Sequence, residues 1–570
     1  MYDPESTAVR RVLVRSAYCL MIAFGPAAVA APCDAQPGNS RETECRREAA
    51  DLQRRLEELL TRYTDLHPEV RSLRRTIQER DDCGSSPASI DADAMAAGTT
   101  ATIAVDAQSE LQALHGFGAT YPLSMFEGDH ITQDQQRRVV ALLVSDIGAL
   151  TGQAQPAFEA VRSDAPATET GFSRPLDFSG TEKLFRMFDR YASGGVGDIY
   201  PFASINVRWQ HPWLAKLRST DYERYLDEVA GKAVATIARW KDRSGREPEF
   251  LQLWNEPISG NGELGGGTLR ELVDTVRRVG RRLREAGYTR VRLVVPNEET
   301  VRNTLAAVRA IAGDGEALRY VGAIAYHAYP YGSEYSYLPR LLATRAQGRD
   351  FQEPVREREE LRNLSMQLGL PVWMTEISHG YSRGGSNAPE AVADSIDWIV
   401  GRAIHIHDEF RFAGASAFYG MMAVWTDTAD RDHSPGAGVR NLRKDGDNLV
   451  LVDTVSNEVF AGAIGYAMGH YGRWLHRDAR YLKGESSNPF VLVSPFRDGA
   501  RFVAVLVNTA KKAVRTTIRL QGAEFAGTIA GDQTRTGSCR QAIAPFEAEG
   551  PSLELELPAW SVTSVAVPLR

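Results

Sequence analysis

The chain has 570 residues and a formal net charge of -7, with 43% apolar and 24% charged residues. Such a length exceeds one ordinary core, so two or three units are expected, one of them large enough to be a barrel. The balance is that of a globular protein, and no basic run is long enough to offer a nucleic-acid surface, so polyanion partners are excluded.

At the N-terminus Arg10, Arg11 and Arg15 precede the apolar run CLMIAFGPAAVAA (19 to 31), in which Ala28 and Ala30 fit an A-x-A cleavage site. Residues 1–31 therefore read as a secretory signal peptide, and the mature protein is expected to be secreted or periplasmic. The run is short of the about 20 apolar residues that span a bilayer, so no membrane span is expected after cleavage. Pro32 directly before Cys33 argues against a lipoprotein signal. Cys19 leaves with the signal; Cys33, Cys45, Cys83 and Cys539 remain, without C-x-x-C spacing, and disulfides are expected in an oxidising compartment. Three pairings are open, with Cys45 to Cys83 favoured because these two bracket one helical stretch.

That stretch (32–82) carries apolar residues at Ala49, Leu52, Leu56, Leu59, Tyr63, Leu66, Val70, Leu73 and Ile77, in heptad steps of four and three. Pro68 interrupts it and predicts two helices meeting near DLHPEV. Residues 83–100 are small, polar and aperiodic, and read as a linker.

From 101 to 478, strand-like and helix-like stretches alternate, which predicts parallel strands with helical crossovers. The strand candidates are LHGFGATY (114 to 121), AFEAVRSD (157 to 164), IYPFASINV (199 to 207), EFLQLWNE (249 to 256), VRLVVPNEE (291 to 299), YVGAIAYHAYP (320 to 330), PVWMTEIS (371 to 378) and GASAFYGMMAVW (414 to 425). Eight such units predict a (β/α)8 TIM barrel, an α/β fold whose site lies at the C-terminal ends of the strands. Residues 479–570 change to short alternating strands with turn residues between them, which predicts an attached C-terminal β-sandwich. The strand ATIAVDAQ (101 to 108) is a candidate member of that sandwich.

Glu256 closes the fourth barrel strand and Glu376 the seventh, so the two should face one another across the barrel mouth. Paired carboxylates divide acid, base and nucleophile roles, and the reaction class this points to is glycoside cleavage. Neither needs a metal or a cofactor.

Taken together, HGFGATY, VRSD, YHAY, WMTEIS and GYAMGHYGRWLHRDARYL resemble the retaining glycoside hydrolases of clan A, and most of all family 30, over about residues 101 to 570. Two features depart from family 30. Pro-Trp does not follow directly after the serine of ASINVRWQHPWLAK, and WNEP is more like family 39. The resemblance implies that Glu256 is the acid/base and Glu376 the nucleophile. It further implies Arg162 as a charge keeping Glu376 ionised, Asn255 as a partner of the sugar 2-hydroxyl, and Tyr329 as an orienting group with His327 nearby. Trp425, Trp209 and Trp213 would offer aromatic faces to a polysaccharide or oligosaccharide. Taken singly, a glutamate at a strand end is a surface charge, Arg162 an ion pair, Trp425 core, and His327 and Tyr329 buried hydrogen-bonded residues. The motifs in combination favour the site.

Two other functions fit the same residues: a transglycosylase on this scaffold, and a non-catalytic carbohydrate-binding or assembly factor in exopolysaccharide export. The second draws on RYTDLHPEVRSLRRTIQE, which resembles the periplasmic coiled-coil part of polysaccharide chain-length regulators and would link the protein to exopolysaccharide machinery. A plain helical spacer is the alternative for that segment.

Overall fold

The computed structural model describes residues 99–121, 131–154, 179–192, 200–205, 212–259, 267–329, 344–350, 352–377, 395–427 and 448–570. All belong to one compact unit that begins at Ala92. The expected signal peptide, the heptad segment, Cys33, Cys45 and Cys83 lie outside the described residues. Among the described residues no helix is long and apolar enough to cross a membrane.

Strand β1 (Thr100–Ala113) precedes a closed barrel of eight parallel strands. In chain order these are β2 (Gly116–Tyr121), β3 (Ala149–Ala154), β4 (Tyr200–Ser204), β5 (Phe250–Gln252), β6 (Arg292–Glu298), β7 (Val321–His327), β8 (Val372–Glu376) and β9 (Ala415–Met422), with β9 pairing back onto β2. The second barrel strand is therefore Ala149–Ala154 and not residues 157–164, which lie outside the described residues. The VRSD likeness drew the expectation further along the chain, whereas ALTGQA forms the strand, paired with β2 on one side and β4 on the other. The G-F-G of β2 has a steric cause at this seam: a Cβ on Gly118 would lie 1.9 Å from the Thr151 carbonyl oxygen, so only glycine lets β2 approach β3 so closely.

The barrel interior is filled by side chains, as the fold requires. Phe250, Val294, Ala323, Ala325, Trp373, Ala417 and Tyr419 form one inner cluster, in which three large aromatic residues fit against alanines on neighbouring strands. His115 stacks on Trp373 with ring centroids 4.2 Å apart, closing the end opposite the site.

The outer faces of the strands pack against helices. The helix Tyr222–Ser244 starts where the Asp221 side chain accepts the Arg224 N–H, and it stops at Gly245, which takes the left-handed φ of 73°. Tyr225, Leu226, Val229, Ala233, Ile237 and Trp240 recur at steps of one to four along its buried face. Each large side chain so buried contributes about 1.5–3 kcal/mol. Thr268 and Thr300 cap the helices Leu269–Glu285 and Val301–Ala312 in the same way, fixing where the chain turns after β5 and β6.

After β9 come a three-stranded sheet, β10 (Val424–Thr426), β11 (Val450–Asp453) and β12 (Glu458–Ala461), and the helix Ala463–Gly472. The remaining strands are β13 (Arg480–Ser486), β14 (Val491–Asp498), β15 (Arg501–Asn508), β16 (Val514–Gln521), β17 (Phe525–Thr528), β18 (Ala530–Arg535), β19 (Ser538–Ala542), β20 (Glu547–Gly550), β21 (Ser552–Leu557) and β22 (Ser561–Pro568). Nine of the strands form one sheet in the order β19-β18-β22-β15-β14-β13-β1-β16-β21, and β17 pairs with β20 separately. β1 enters this sheet between β13 and β16, parallel to the latter, so the segment before the barrel belongs structurally to the C-terminal sheet.

Period-two alternation divides β15 between two cores. Phe502, Ala504 and Leu506 join the core inside the C-terminal sheet, where they share a cluster with Ile103, Ile518 and Leu553 from its other half. Val503, Val505 and Val507 join the barrel's outer core beside Ile399, Ala403 and Met468. At that junction His470 lies between the Ser564 hydroxyl (2.6 Å) and the Thr534 hydroxyl (2.7 Å), and His407 lies 3.0 Å from the Ser494 hydroxyl. Burial first, and nearby arginines second, hold both imidazoles well below their ordinary pKa.

Candidate active site

Glu256 does not close the fourth barrel strand as expected: β5 ends at Gln252, and the irregular segment after it carries Glu256 in an unusual backbone state. Its φ is 51°, in the left-handed region that a glutamate seldom adopts. Its N–H donates to the Asn297 carbonyl at 2.9 Å, which holds the segment after β5 against the end of β6. Glu376 closes β8, and the β7–β8 register sets His327 directly beside it.

These three side chains converge. His327 Nδ1 lies 2.8 Å from Glu256 Oε1 and 3.8 Å from Glu376 Oε1, while the Tyr329 hydroxyl donates to Glu376 Oε1 at 3.0 Å. One oxygen of each glutamate and the imidazole nitrogen all lie within 4.8 Å of one another. The glutamate side chains keep 13% and 12% of their exposure whereas His327 has none, so the carboxylates are open to a ligand and the imidazole supports them from below.

Alternation along β7 explains how His327 is held. Tyr326 points to the helix layer, where its hydroxyl donates to Glu409, and that carboxylate also binds Arg358 and His405. Burial alone would raise the Glu409 pKa, but Arg358 and His405 outweigh it and hold the group at about 2. His327 faces the other way. Burial pulls its pKa down, yet the Glu376 charge, the Glu256 hydrogen bond and charge, and the Glu298 charge prevail and lift it to about 9.

Burial pushes the Glu376 carboxyl up; His327 opposes this, the Glu256 charge adds to it, and the Tyr329 hydrogen bond opposes it, with the net direction upward. Arg162, expected as a further positive charge on Glu376, lies outside the described residues, as does Trp209. Trp213 belongs to the helix Pro212–Thr220, and its side chain lies outside what is described. Asn255 is half-buried immediately before Glu256. Trp425 does not end the eighth barrel strand as expected: β9 stops at Met422, and Trp425 sits half-buried in β10, paired with Leu451. The Ala423 N–H donates to the Thr120 carbonyl at 2.9 Å, the last β2–β9 contact, and Val424–Thr426 then pair with β11 instead.

Four residues at the site were not singled out from the sequence. Glu298 is fully buried and its Oε1 accepts the Ile258 N–H at 2.8 Å. Burial raises its pKa to about 7 against the Ile258 bond and the His327 charge. Glu299 accepts the Ser259 hydroxyl at 2.9 Å. Asn297 and Thr375 are buried and hydrogen-bonded to one another. The available signal was the polar run PNEE closing an otherwise apolar strand.

Chemically, the cluster offers one imidazole and two carboxylates, a donor set that zinc also accepts. His327 and Tyr329 make hydrogen bonds to those same carboxylates.

No family model matches the chain, and no curated protein resembles it in sequence. Solved structures do resemble it. A family 30 endoxylanase from Clostridium papyrosolvens C71 is 16% identical with a TM-score of 0.56, covering 82% of this chain and 100% of its own. A conserved exported protein from Bacteroides fragilis is 14% identical with a TM-score of 0.61, covering 82% and 100%. An endo-β1,6-glucanase is 15% identical with a TM-score of 0.53, covering 82% and 94%. The chain thus has the fold of the family 30 glycoside hydrolases, barrel and C-terminal sheet together.

Proposed function

We propose that this protein is a glycoside hydrolase that cleaves β-glycosidic bonds with retention of configuration, using Glu256 and Glu376. The observation that carries the reading is the pair of carboxylate oxygens within 4.8 Å of one another, one on the segment that follows β5 and one at the end of β8. Retaining enzymes hold their carboxyl groups about 5–5.5 Å apart, whereas inverting enzymes need about 6.5–9.5 Å to admit a water between them.

In the first step protonated Glu256 gives its proton to the glycosidic oxygen as the bond to C1 breaks, and the Glu376 carboxylate forms an ester to C1. In the second step Glu256, now ionised, takes a proton from water; the hydroxide adds to C1, and Glu376 leaves as a carboxylate. His327 and Tyr329 both favour the ionised Glu376 on which the attack depends. His327 also bonds Glu256 and keeps its carboxyl turned towards the same centre.

The substrate class is a β-linked glycan, such as the xylans and β-glucans named for the endoxylanase and the endo-β1,6-glucanase of similar fold. Residues 1–31 would direct the protein out of the cytoplasm to meet such a polymer, and the heptad segment would tether it to an assembly.

Incubation with a panel of β-glycans, with the anomer of the first product followed by NMR, tests the reading. A β-anomer is expected, with turnover unchanged by chelator. An α-anomer overturns retention, and chelator-sensitive turnover overturns the metal-free route.

A further inference from the structure

Asn297, the penultimate residue of β6, is fully buried and takes a φ of 62°. Its carbonyl accepts the Glu256 N–H at 2.9 Å. Its side-chain Nδ2 donates to the Trp254 carbonyl at 3.1 Å, and its Oδ1 accepts the Thr375 hydroxyl at 2.5 Å. One asparagine therefore holds the backbone on which Glu256 is mounted and, through Thr375, the residue that precedes Glu376. The amide orientation is fixed chemically, because a flipped amide would set its oxygen against the Trp254 carbonyl.

Strain gives these bonds a purpose. Glu256 sits in a left-handed conformation that costs about 1–2 kcal/mol for a side chain with a Cβ. Such a residue relaxes unless its surroundings over-determine it. Asn297 also occupies this region, but asparagine tolerates it better than glutamate does. The Trp254 carbonyl takes a second hydrogen bond from Gln252 Nε2 at 3.1 Å, and the Thr375 hydroxyl, whose one proton points to Asn297, lies 3.2 Å from the Tyr326 carbonyl. Gln252, Trp254, Asn297, Tyr326 and Thr375 are all buried.

We propose that Asn297 and Thr375 are positioning residues that set the separation between Glu256 and Glu376, with Asn297 clamping both glutamate-bearing segments at once. This rests on the proposed retaining reaction, whose geometry tolerates little error: a displacement of about 1 Å costs about a hundredfold in rate.

The test compares Asn297→Asp, Thr375→Val and Thr375→Ser with the wild type. Aspartate keeps the shape but sets an oxygen against the Trp254 carbonyl; valine keeps the shape but loses the hydroxyl; serine keeps the hydroxyl. On an aryl β-glycoside, kcat should fall about tenfold to a hundredfold in the first two variants, with KM changed by less than about twofold, and serine should restore most of the rate. A second readout does not depend on turnover. His327 contacts both glutamates, so its titration, followed by NMR with 15N-histidine, should shift in Asn297→Asp and Thr375→Val but not in Thr375→Ser. Thermal melts establish which variants fold, and the valine–serine pair carries the test if aspartate does not. Unchanged kcat together with an unchanged His327 titration overturns the clamp. If the wild type cleaves no β-glycan, the functional reading falls and the His327 titration alone decides the clamp: a shift supports it, and none overturns it.

Discussion

The Tyr329 hydroxyl donates to Glu376 Oε1 at 3.0 Å, and this oxygen is also the one 3.8 Å from His327 Nδ1. A single carboxylate oxygen thus receives both the hydroxyl and the nearby positive charge, while burial pushes its pKa up.

Removing either support should move the activity profile in a defined direction. Tyr329→Phe deletes a hydrogen bond that lowers the Glu376 pKa, and His327→Gln deletes the charge that does so. In both, Glu376 ionises at higher pH, so the acid limb of kcat/KM should shift upward, with kcat lower by about tenfold to a hundredfold. A pH–rate profile with an unmoved acid limb would remove these residues from the support of Glu376.

The two glutamates should fail differently. Glu376→Ala should abolish turnover, and azide should restore some of it by attacking the vacated side, giving a glycosyl azide of inverted configuration. Glu256→Ala should still turn over an aryl glycoside with a good leaving group, which departs without a proton, and azide should then give a product of retained configuration. The same azide product from both variants would show that the roles are misassigned.

The described unit begins at Ala92, and β1 opens at Thr100 with the Asn488 side chain on the Thr100 carbonyl at 3.2 Å. Deleting residues 32–91 should therefore leave folding and turnover of small substrates intact. Extending the deletion through Val105 removes Ile103 and Val105 from the sheet core and should lower the melting temperature by several degrees or prevent folding. Equal melting temperatures for the two truncations would refute the placement of β1.

His470 is buried and held well below its ordinary value of 6.5, so the folded chain keeps it neutral where the unfolded chain protonates it. Its contribution to stability is complete above pH 6.5 and declines as the pH falls further. His470→Gln should be less stable at pH 8 yet lose less on acidification, its slope between pH 5 and 6 shallower by about 1.4 kcal/mol per pH unit. Urea melts at several pH values measure this, and identical slopes would show that His470 is not the linked group.

Much of the architecture was legible from local pattern alone. The alternation of β and α stretches and the switch to short strands near residue 479 are properties of neighbouring residues, and hydrophobic periodicity records them. Glu376 ends β8, where the apolar run stops, whereas β5 ends at Gln252 and Glu256 lies beyond it on a segment bonded to the Asn297 carbonyl. ALTGQA carried no such pattern. It is a strand because β2 and β4 flank it, and Gly118 makes room for its backbone. Trp425 looked continuous with β9, but Val424–Thr426 pair with β11 in another sheet. Asn297 and Thr375 are far apart in sequence, and neither residue type at its position announces a partner. Barrel closure alone brings the two together, and with them the backbone of Glu256, because hydrogen bonds between distant segments have no periodicity for a sequence to display.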